Sequence, residues 1–162
     1  MIKQTVSYFD IENGEEVERE SLIRFVFTLP ALRLYEQKTG RIFFEDYQAA
    51  FKRFGEALKS LNLENANDIN PEEMTLDDQL ALMPILADPV INGFLLDFIP
   101  CLYAEIENGI FIQNDETRFN AENSMWMMGL VNLTFFIEVF QEITANEKNA
   151  PVKNVKRAVK KN

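Results

Sequence analysis

Residues 5–14 have the sequence TVSYFDIENG, which predicts a β-strand followed by a tight turn. The turn is indicated by Asn13-Gly14, because both central positions of a two-residue hairpin turn need a positive φ. A return strand follows, since apolar and polar residues alternate over residues 23–29. We therefore expect an N-terminal β-hairpin over about residues 5–29. A hairpin alone is marginal in water, so it must pack on a helix or pair with another chain.

Helical spacing follows the hairpin. Pro30 suits the first position of a short helix, and Gly40 suits its end. A longer amphipathic helix comes next, with apolar residues that step by three or four. These residues are Tyr47, Ala50, Phe51, Phe54, Leu58 and Leu61.

Prolines are predicted to interrupt the middle of the chain. Thr75 has the position of a helix-capping residue, and Pro84 and Pro89 are expected to break the apolar run after it. A helix over about residues 89–107 would then be kinked at Pro100. The polar segment 62–73 resembles a calcium-binding loop in composition, but no register places the acidic ligands and the glycine correctly.

The last helix is predicted over about residues 121–145 and is apolar on nearly all sides. Such a helix is either central to the core or shared with a partner, and both interpretations stay open. On the second interpretation, the candidate protein-binding residues are Met125, Trp126, Met128, Leu133, Phe136 and Phe140.

These patterns predict an α+β fold that is predominantly α, with an N-terminal β-hairpin followed by a helical bundle and a disordered basic C-terminal tail. Residues 1–147 are expected to form a single globular domain, with helices over about 30–147, and residues 148–162 a flexible tail. The candidate tether residues of this tail are Lys153, Lys156, Arg157, Lys160 and Lys161.

The composition argues against an enzyme. The chain has no histidine, so the usual general acid or base near neutral pH and every Ser-His or Cys-His pair are excluded. No phosphate-binding glycine motif is present, and the lone Cys101 cannot form a thiolate cluster. We expect no catalytic, cofactor-binding or metal-binding residue, and no cofactor.

Charge is divided unevenly along the chain. The formal net charge is −10, and the six basic residues from Lys148 onward have no acidic neighbour in the tail. Without them, 10 basic residues stand against 26 acidic ones, so the body has a net charge of −16. An acidic body argues against a nucleic-acid partner. The N-terminus has no apolar signal core and Asp88 and Asp97 interrupt the longest apolar region, so no membrane partner and a cytoplasmic location are expected.

Two segments resemble the opening of a known family. They are FTLPALRLYEQKTGR, residues 27–41, and FFEDY, residues 43–47. Both are similar to tail assembly chaperones of long-tailed, siphovirus-type phages and prophages of Gram-positive bacteria. The likeness is close over about the first third of the chain, and the remainder agrees in its acidic, helical character.

The resemblance implies a role in tail morphogenesis. Proteins of that family coat the tape measure protein, an apolar helical chain, in the bacterial host cell and are absent from the finished virion. A longer form made by programmed ribosomal frameshifting recruits tail tube subunits, and the basic tail would be the linker into that extension. Self-association along the client is also expected.

Two alternatives remain open at this point. The acidic body is compatible with an inhibitor that mimics nucleic acid and blocks a DNA-binding protein. The resemblance is also compatible with a structural component of the tail.

Overall fold

A computed structural model describes residues 1–60, 75–130 and 132–148. Two long strands, β1 (Ile2–Glu12) and β2 (Glu15–Phe25), are followed by four helices: α1 (Leu29–Thr39), α2 (Phe43–Ser60), α3 (Leu76–Ala87) and α4 (Pro89–Leu102). Then come β3 (Glu105–Glu107), β4 (Ile110–Ile112), α5 (Asp115–Glu122), α6 (Met125–Leu130) and α7 (Leu133–Lys148). An N-terminal hairpin followed by helices confirms the predicted fold class.

The N-terminal hairpin is longer at its start and shorter at its end than predicted. β1 and β2 pair antiparallel from Ile2↔Phe25 to Glu12↔Glu15. The turn residues Asn13 and Gly14 have φ values of 53° and 84°, as the dipeptide predicts. The predicted end at residue 29 is wrong, because the Thr28 side chain accepts a hydrogen bond from the Ala31 N–H and caps α1 instead.

Helices α1 and α2 agree with the sequence patterns. Pro30 lies in the first turn of α1, and Gly40 ends the helix in the left-handed conformation with φ 68°. The α2 stripe packs into the core except for Phe51, which is 41% exposed at its edge. Its buried members are Tyr47, Ala50, Phe54 and Leu58. Leu61 and the calcium-like segment 62–73 lie outside the described residues.

Of the two prolines predicted to break the middle region, Pro89 does so at the boundary of α3 and α4, whereas Pro84 does not. Pro84 lies inside α3, where its ring is on the exposed side, so the helix continues at the loss of one backbone hydrogen bond. α4 begins at Pro89 behind the N-cap Asp88, whose side chain accepts from the N–H groups of Val90 and Ile91 at 2.9 and 3.2 Å. Pro100 lies inside α4, two residues before the helix ends at Leu102.

A second hairpin replaces the predicted continuation of α4 to residue 107. β3 and β4 pair antiparallel around a turn at Asn108-Gly109, with φ values of 50° and 81°. The dipeptide is the same as at Asn13-Gly14, and it requires the same left-handed backbone.

The predicted last helix, residues 121–145, is three helices. Asn114 and Thr117 form a capping box at the start of α5. Asn132 separates α6 from α7 with one side chain: its amide donates to the Gly129 carbonyl at 3.1 Å, and its oxygen accepts from the Phe135 N–H at 2.9 Å. The apolar spacing alone did not reveal these breaks, because each fragment keeps helical periodicity.

One cluster of buried apolar side chains joins the hairpin to the helices. Phe25 of β2 meets Phe135 of α7 with ring centroids 4.9 Å apart. Phe54 of α2 stacks on Phe140 of α7 at 4.8 Å, and Phe43 meets Phe98 of α4 at 4.7 Å. Most of the aromatic side chains therefore lie in the core or pack against it. The predicted tail, beyond Lys148 at the end of α7, lies outside the described residues.

Candidate protein-binding groove

A groove of about 360 Å³ lies between the N-terminal hairpin and α6. Its lining residues are Tyr8, Phe9, Ser21, Ile23, Tyr103, Ser124, Met125 and Trp126. We call it the hairpin groove. Two of the six residues predicted from the sequence to bind protein, Met125 and Trp126, lie in it.

The strand alternation of the hairpin creates one wall. Successive side chains of a strand point to opposite faces, so Val6 and Tyr8 share the face that packs on the body. Val6 is 7% exposed and covers the core, whereas Tyr8, one step further out, is half-buried and faces the groove. The hairpin extends beyond the core here, and the wall remains open to solvent.

The other wall is built from α6 and the end of α4. Trp126 is half-buried, with its ring 5.4 Å from Tyr103 and 6.4 Å from Phe25. Met125 is 75% exposed, the highest exposure among the large apolar residues of the described chain. The packed indole of Trp126 gives the groove a rigid apolar surface, and the exposed, flexible side chain of Met125 can adapt to the shape of a bound segment.

The surroundings of the groove are acidic. The Tyr103 hydroxyl donates to Glu105 at 3.4 Å, and burial, with the nearby Glu105 carboxylate, raises the pKa of Tyr103. Asp10 and Glu12 lie on the same face of β1 as Tyr8. Arg19 is the cation of this part of the hairpin, and it pairs with Asp10 at 3.2 Å and with Glu12. An apolar segment with basic flanks suits this groove better than an acidic one.

The remaining predicted binding residues do not join the groove. Phe136 and Phe140 are 3% and 1% exposed, because α7 is a central helix of the core. They can meet a partner only if the core opens. Met128 and Leu133 belong to α6 and α7, but their side chains lie outside the described structure. The predicted tether residues are also outside it, at Lys153, Lys156, Arg157, Lys160 and Lys161.

Sequence reasoning missed Tyr8 and Tyr103 as groove residues. The sequence does contain a signal for Tyr8. It lies two residues after Val6 on the same face of β1, at a point where the core no longer covers the strand. Tyr103 had none, because the predicted helix ran through it. Its position depends on the end of α4 at Leu102 and on the bridge that pairs it with Phe25.

A polar cluster joins α1, α4 and α5 on another side of the molecule. Asp97 accepts from Arg41 at 2.6 Å and lies 3.2 Å from Lys38, which also lies 2.5 Å from Glu122. Burial alone would lower the pKa of Lys38, but its hydrogen bonds to Glu122 and Asp97 outweigh burial and raise it. Each charged side chain of the cluster is paired with one of opposite sign. We therefore interpret the cluster as a structural contact that holds α1, α4 and α5 together.

Among residues 1–60, 75–130 and 132–148, no group of three or more His, Cys, Asp or Glu side chains could hold a metal ion. No helix among them has the length and hydropathy needed to cross a membrane.

Comparisons with protein-family models, curated proteins and solved structures find no significant match to the chain.

Proposed function

We propose that this protein is a tail assembly chaperone of a siphovirus-type phage or prophage. In the cytoplasm of the bacterial host cell it binds the tape measure protein and keeps it soluble, without becoming part of the mature virion and without catalysing a reaction. The observation that supports binding is the hairpin groove, which exposes Met125 beside the half-buried rings of Tyr8 and Trp126. The resemblance of residues 27–47 supplies the identity of the client.

The size of the groove sets the kind of contact. A volume of about 360 Å³ accommodates one or two large apolar side chains of a client segment. Burying one such side chain contributes about 1.5–3 kcal/mol, so a single groove binds weakly. A tape measure protein is a long chain that presents many such side chains, so several chaperone copies can bind along it and be released when the tube assembles.

The charge of the chain suits a solubilising role. A net charge of −10 on 162 residues keeps a complex with an apolar client from associating further, because the coated particles repel one another. The acidic residues beside the groove also favour client segments whose apolar residues are flanked by lysine or arginine.

The basic tail is assigned to a second partner. In a frameshifted longer form, Lys153, Lys156, Arg157, Lys160 and Lys161 would lie in the linker that joins the body to an extension for tail tube protein. A slippery heptamer in the gene near codons 160 and 161, with an overlapping second frame, would support this assignment. Its absence would remove the longer form from the proposal but not the groove.

Co-expression with the tape measure protein of the same genome tests the proposal. The parent protein should keep the client in the soluble fraction and co-purify with it. A Met125→Ser/Trp126→Ala variant should lose most of this effect. Leu96→Ser is the matched control, since Leu96 is a 43% exposed apolar residue of α4 outside the groove. Retention of client by the groove variant, or no complex with the folded parent protein, would contradict the proposal.

A nucleic-acid mimic is the second candidate, and one observation favours it. Glu16, Glu18 and Glu20 alternate along β2 and therefore line one exposed face of the hairpin. Changing all three to Gln should abolish inhibition of a DNA-binding protein if this candidate is correct, but should leave client solubilisation intact if the protein is a chaperone. Recovery of the protein from purified virions would instead indicate a structural tail component.

A further inference from the structure

We infer that two copies of this chain pair through the outer edge of β1. Two antiparallel β1 strands would then join the hairpins into one four-stranded sheet with the order β2-β1-β1-β2. The partner that binds this edge is a second copy of the chain. This pairing needs neither the client nor the hairpin groove.

The outer edge of β1 is long and open. On one side β1 pairs with β2 through all 11 of its residues, in an unbroken register without a bulge. On the other side, its backbone makes no hydrogen bond to another element among the described residues. The strand contains no proline or glycine, and its single lysine, Lys3, lies near the start. An edge of this length presents a row of backbone N–H and C=O groups that can pair with another strand.

The outer edge of β2 is less suitable. At its base, the Val26 N–H donates to the Leu102 carbonyl at 2.8 Å, and the Ala104 N–H donates to the Arg24 carbonyl at 2.9 Å. Toward its tip, β2 carries four exposed glutamates: Glu15, Glu16, Glu18 and Glu20. Two such edges would repel each other. The edge of β1 is therefore the one that accepts a second copy.

The sequence of β1 is complementary to itself when it runs antiparallel. A twofold axis at Ser7 places Thr5 opposite Phe9 of the second copy on the exposed face, and Val6 opposite Tyr8 on the other face. Aromatic and β-branched residues form favourable cross-strand pairs, and the symmetry makes each pair twice. No like charges lie directly opposite each other along β1 in this register.

Charge at the two ends of the hairpin points to the same orientation. Lys3 and Arg24 are cross-strand neighbours at the base, and Glu16 and Glu18 lie toward the tip on the same face. Antiparallel pairing brings the basic base of one hairpin near the acidic tip of the other. A parallel arrangement would place base beside base and tip beside tip.

Charged substitutions at Ser7 test the inference, because this exposed residue would lie opposite its own copy. Ser7→Lys and Ser7→Glu should each be monomeric, since each places two like charges together. Mixing the two variants in equal amounts should restore a dimer. Glu20→Lys is the matched control: Glu20 pairs with Ser7 within one hairpin but lies one strand further from the junction, so this variant should stay dimeric.

The full-length proteins would be measured by sedimentation equilibrium, with circular dichroism to confirm that each variant folds. The inference predicts twice the monomer mass for the parent protein and for the Ser7 variant mixture. A parent protein that is monomeric at its highest soluble concentration would overturn it, as would a dimer that survives both Ser7 variants. A monomer whose β1 amides are all slow in hydrogen exchange would mean that another segment of the same chain covers the edge, and would also overturn it.

Discussion

Gln113 ties the N-terminal hairpin to the helices. Its side-chain amide donates to the carbonyls of Val26 and Leu102, both at 2.9 Å, and its oxygen accepts from the Thr28 hydroxyl. One side chain therefore fixes the end of β2, the end of α4 and the cap of α1. No pattern in the sequence marks it, because a glutamine after a short strand is ordinary.

Replacing Gln113 with alanine should destabilise the protein by about 1–3 kcal/mol, because the partly buried Val26 carbonyl loses its side-chain donor and the Thr28 hydroxyl loses its acceptor. Gln37→Ala is the matched control, since Gln37 is exposed on α1 and alanine is a good helix former. The midpoint of urea unfolding measures both. Equal stability of the two variants would show that the three segments are held together by other contacts.

Cys101 should be inert in the folded protein and should make stability depend on pH. Burial raises the pKa of its thiol to about 12. Because the folded state holds the proton more tightly than the unfolded state, the stabilisation is complete below the unfolded pKa of about 8.5 and is lost as the pH rises through 12. The thiol should therefore not react with a disulfide reagent at pH 8 until the protein is unfolded.

A Cys101→Ala variant separates this effect from other groups. The pKa values of Tyr35 and Tyr103 are also raised, mainly by burial, so they weaken stability in the same alkaline range. Unfolding midpoints measured between pH 8 and pH 11 should fall for both proteins, but less steeply for the variant. Parallel curves, or rapid labelling of the native thiol, would contradict the buried position of Cys101.

At the scale of elements, the two glycine positions Gly14 and Gly55 offer a matched test of the hairpin. A Cβ added at either position meets no atom within 4 Å, so backbone conformation alone decides the outcome. Gly14 has φ +84° in the turn, so Gly14→Ala should cost about 1–2 kcal/mol. Gly55 lies inside α2, and Gly55→Ala should stabilise by up to about 1 kcal/mol.

Thermal unfolding of the two glycine variants gives the comparison directly. The melting temperature should fall for Gly14→Ala and rise for Gly55→Ala. A Gly14→Ala protein as stable as its parent would mean that the turn does not need its left-handed residue, and the hairpin register would then be in doubt.

The sequence predicted elements whose ends carry their own chemical signal. Asn13-Gly14, the helix from Pro30 to Gly40 and the buried part of the α2 stripe (Tyr47, Ala50, Phe54 and Leu58) were confirmed, because turn, cap and periodicity preferences are local. The same dipeptide at Asn108-Gly109 could have revealed the second hairpin. The apolar run before it also fits helical periodicity, so the run alone does not distinguish a helix from a strand. Pro84 does not end α3, because an exposed proline can remain in a helix at the loss of one hydrogen bond.

The candidate site was only partly predictable for a different reason. Period and composition identify the apolar residues after residue 121 but not the direction in which each side chain points. Asn132 caps the start of a separate helix, α7, which lies in the centre of the apolar cluster. Phe136 and Phe140 are therefore core residues. Met125 and Trp126 stayed accessible because they open α6 beside the hairpin. The burial of a side chain depends on which elements pack against each other, and a local sequence pattern does not contain that information.

At the scale of the whole molecule, the described part of the protein combines an apolar core rich in aromatic residues with the hairpin groove, and the chain carries a net charge of −10. The groove holds Trp126, the only tryptophan of the chain. The emission of this residue therefore reports on the proposed binding site without a label.

Titration of Trp126 fluorescence with tryptophan-free segments of the tape measure protein tests the central claim most directly. A segment that enters the groove removes water from the indole, so we expect a saturable shift of the emission to shorter wavelength. Met125→Ser should weaken this shift, and Leu96→Ser should leave it unchanged. If a segment co-purifies with the protein while the Trp126 emission stays constant, the client binds elsewhere, and the groove is not the chaperone site.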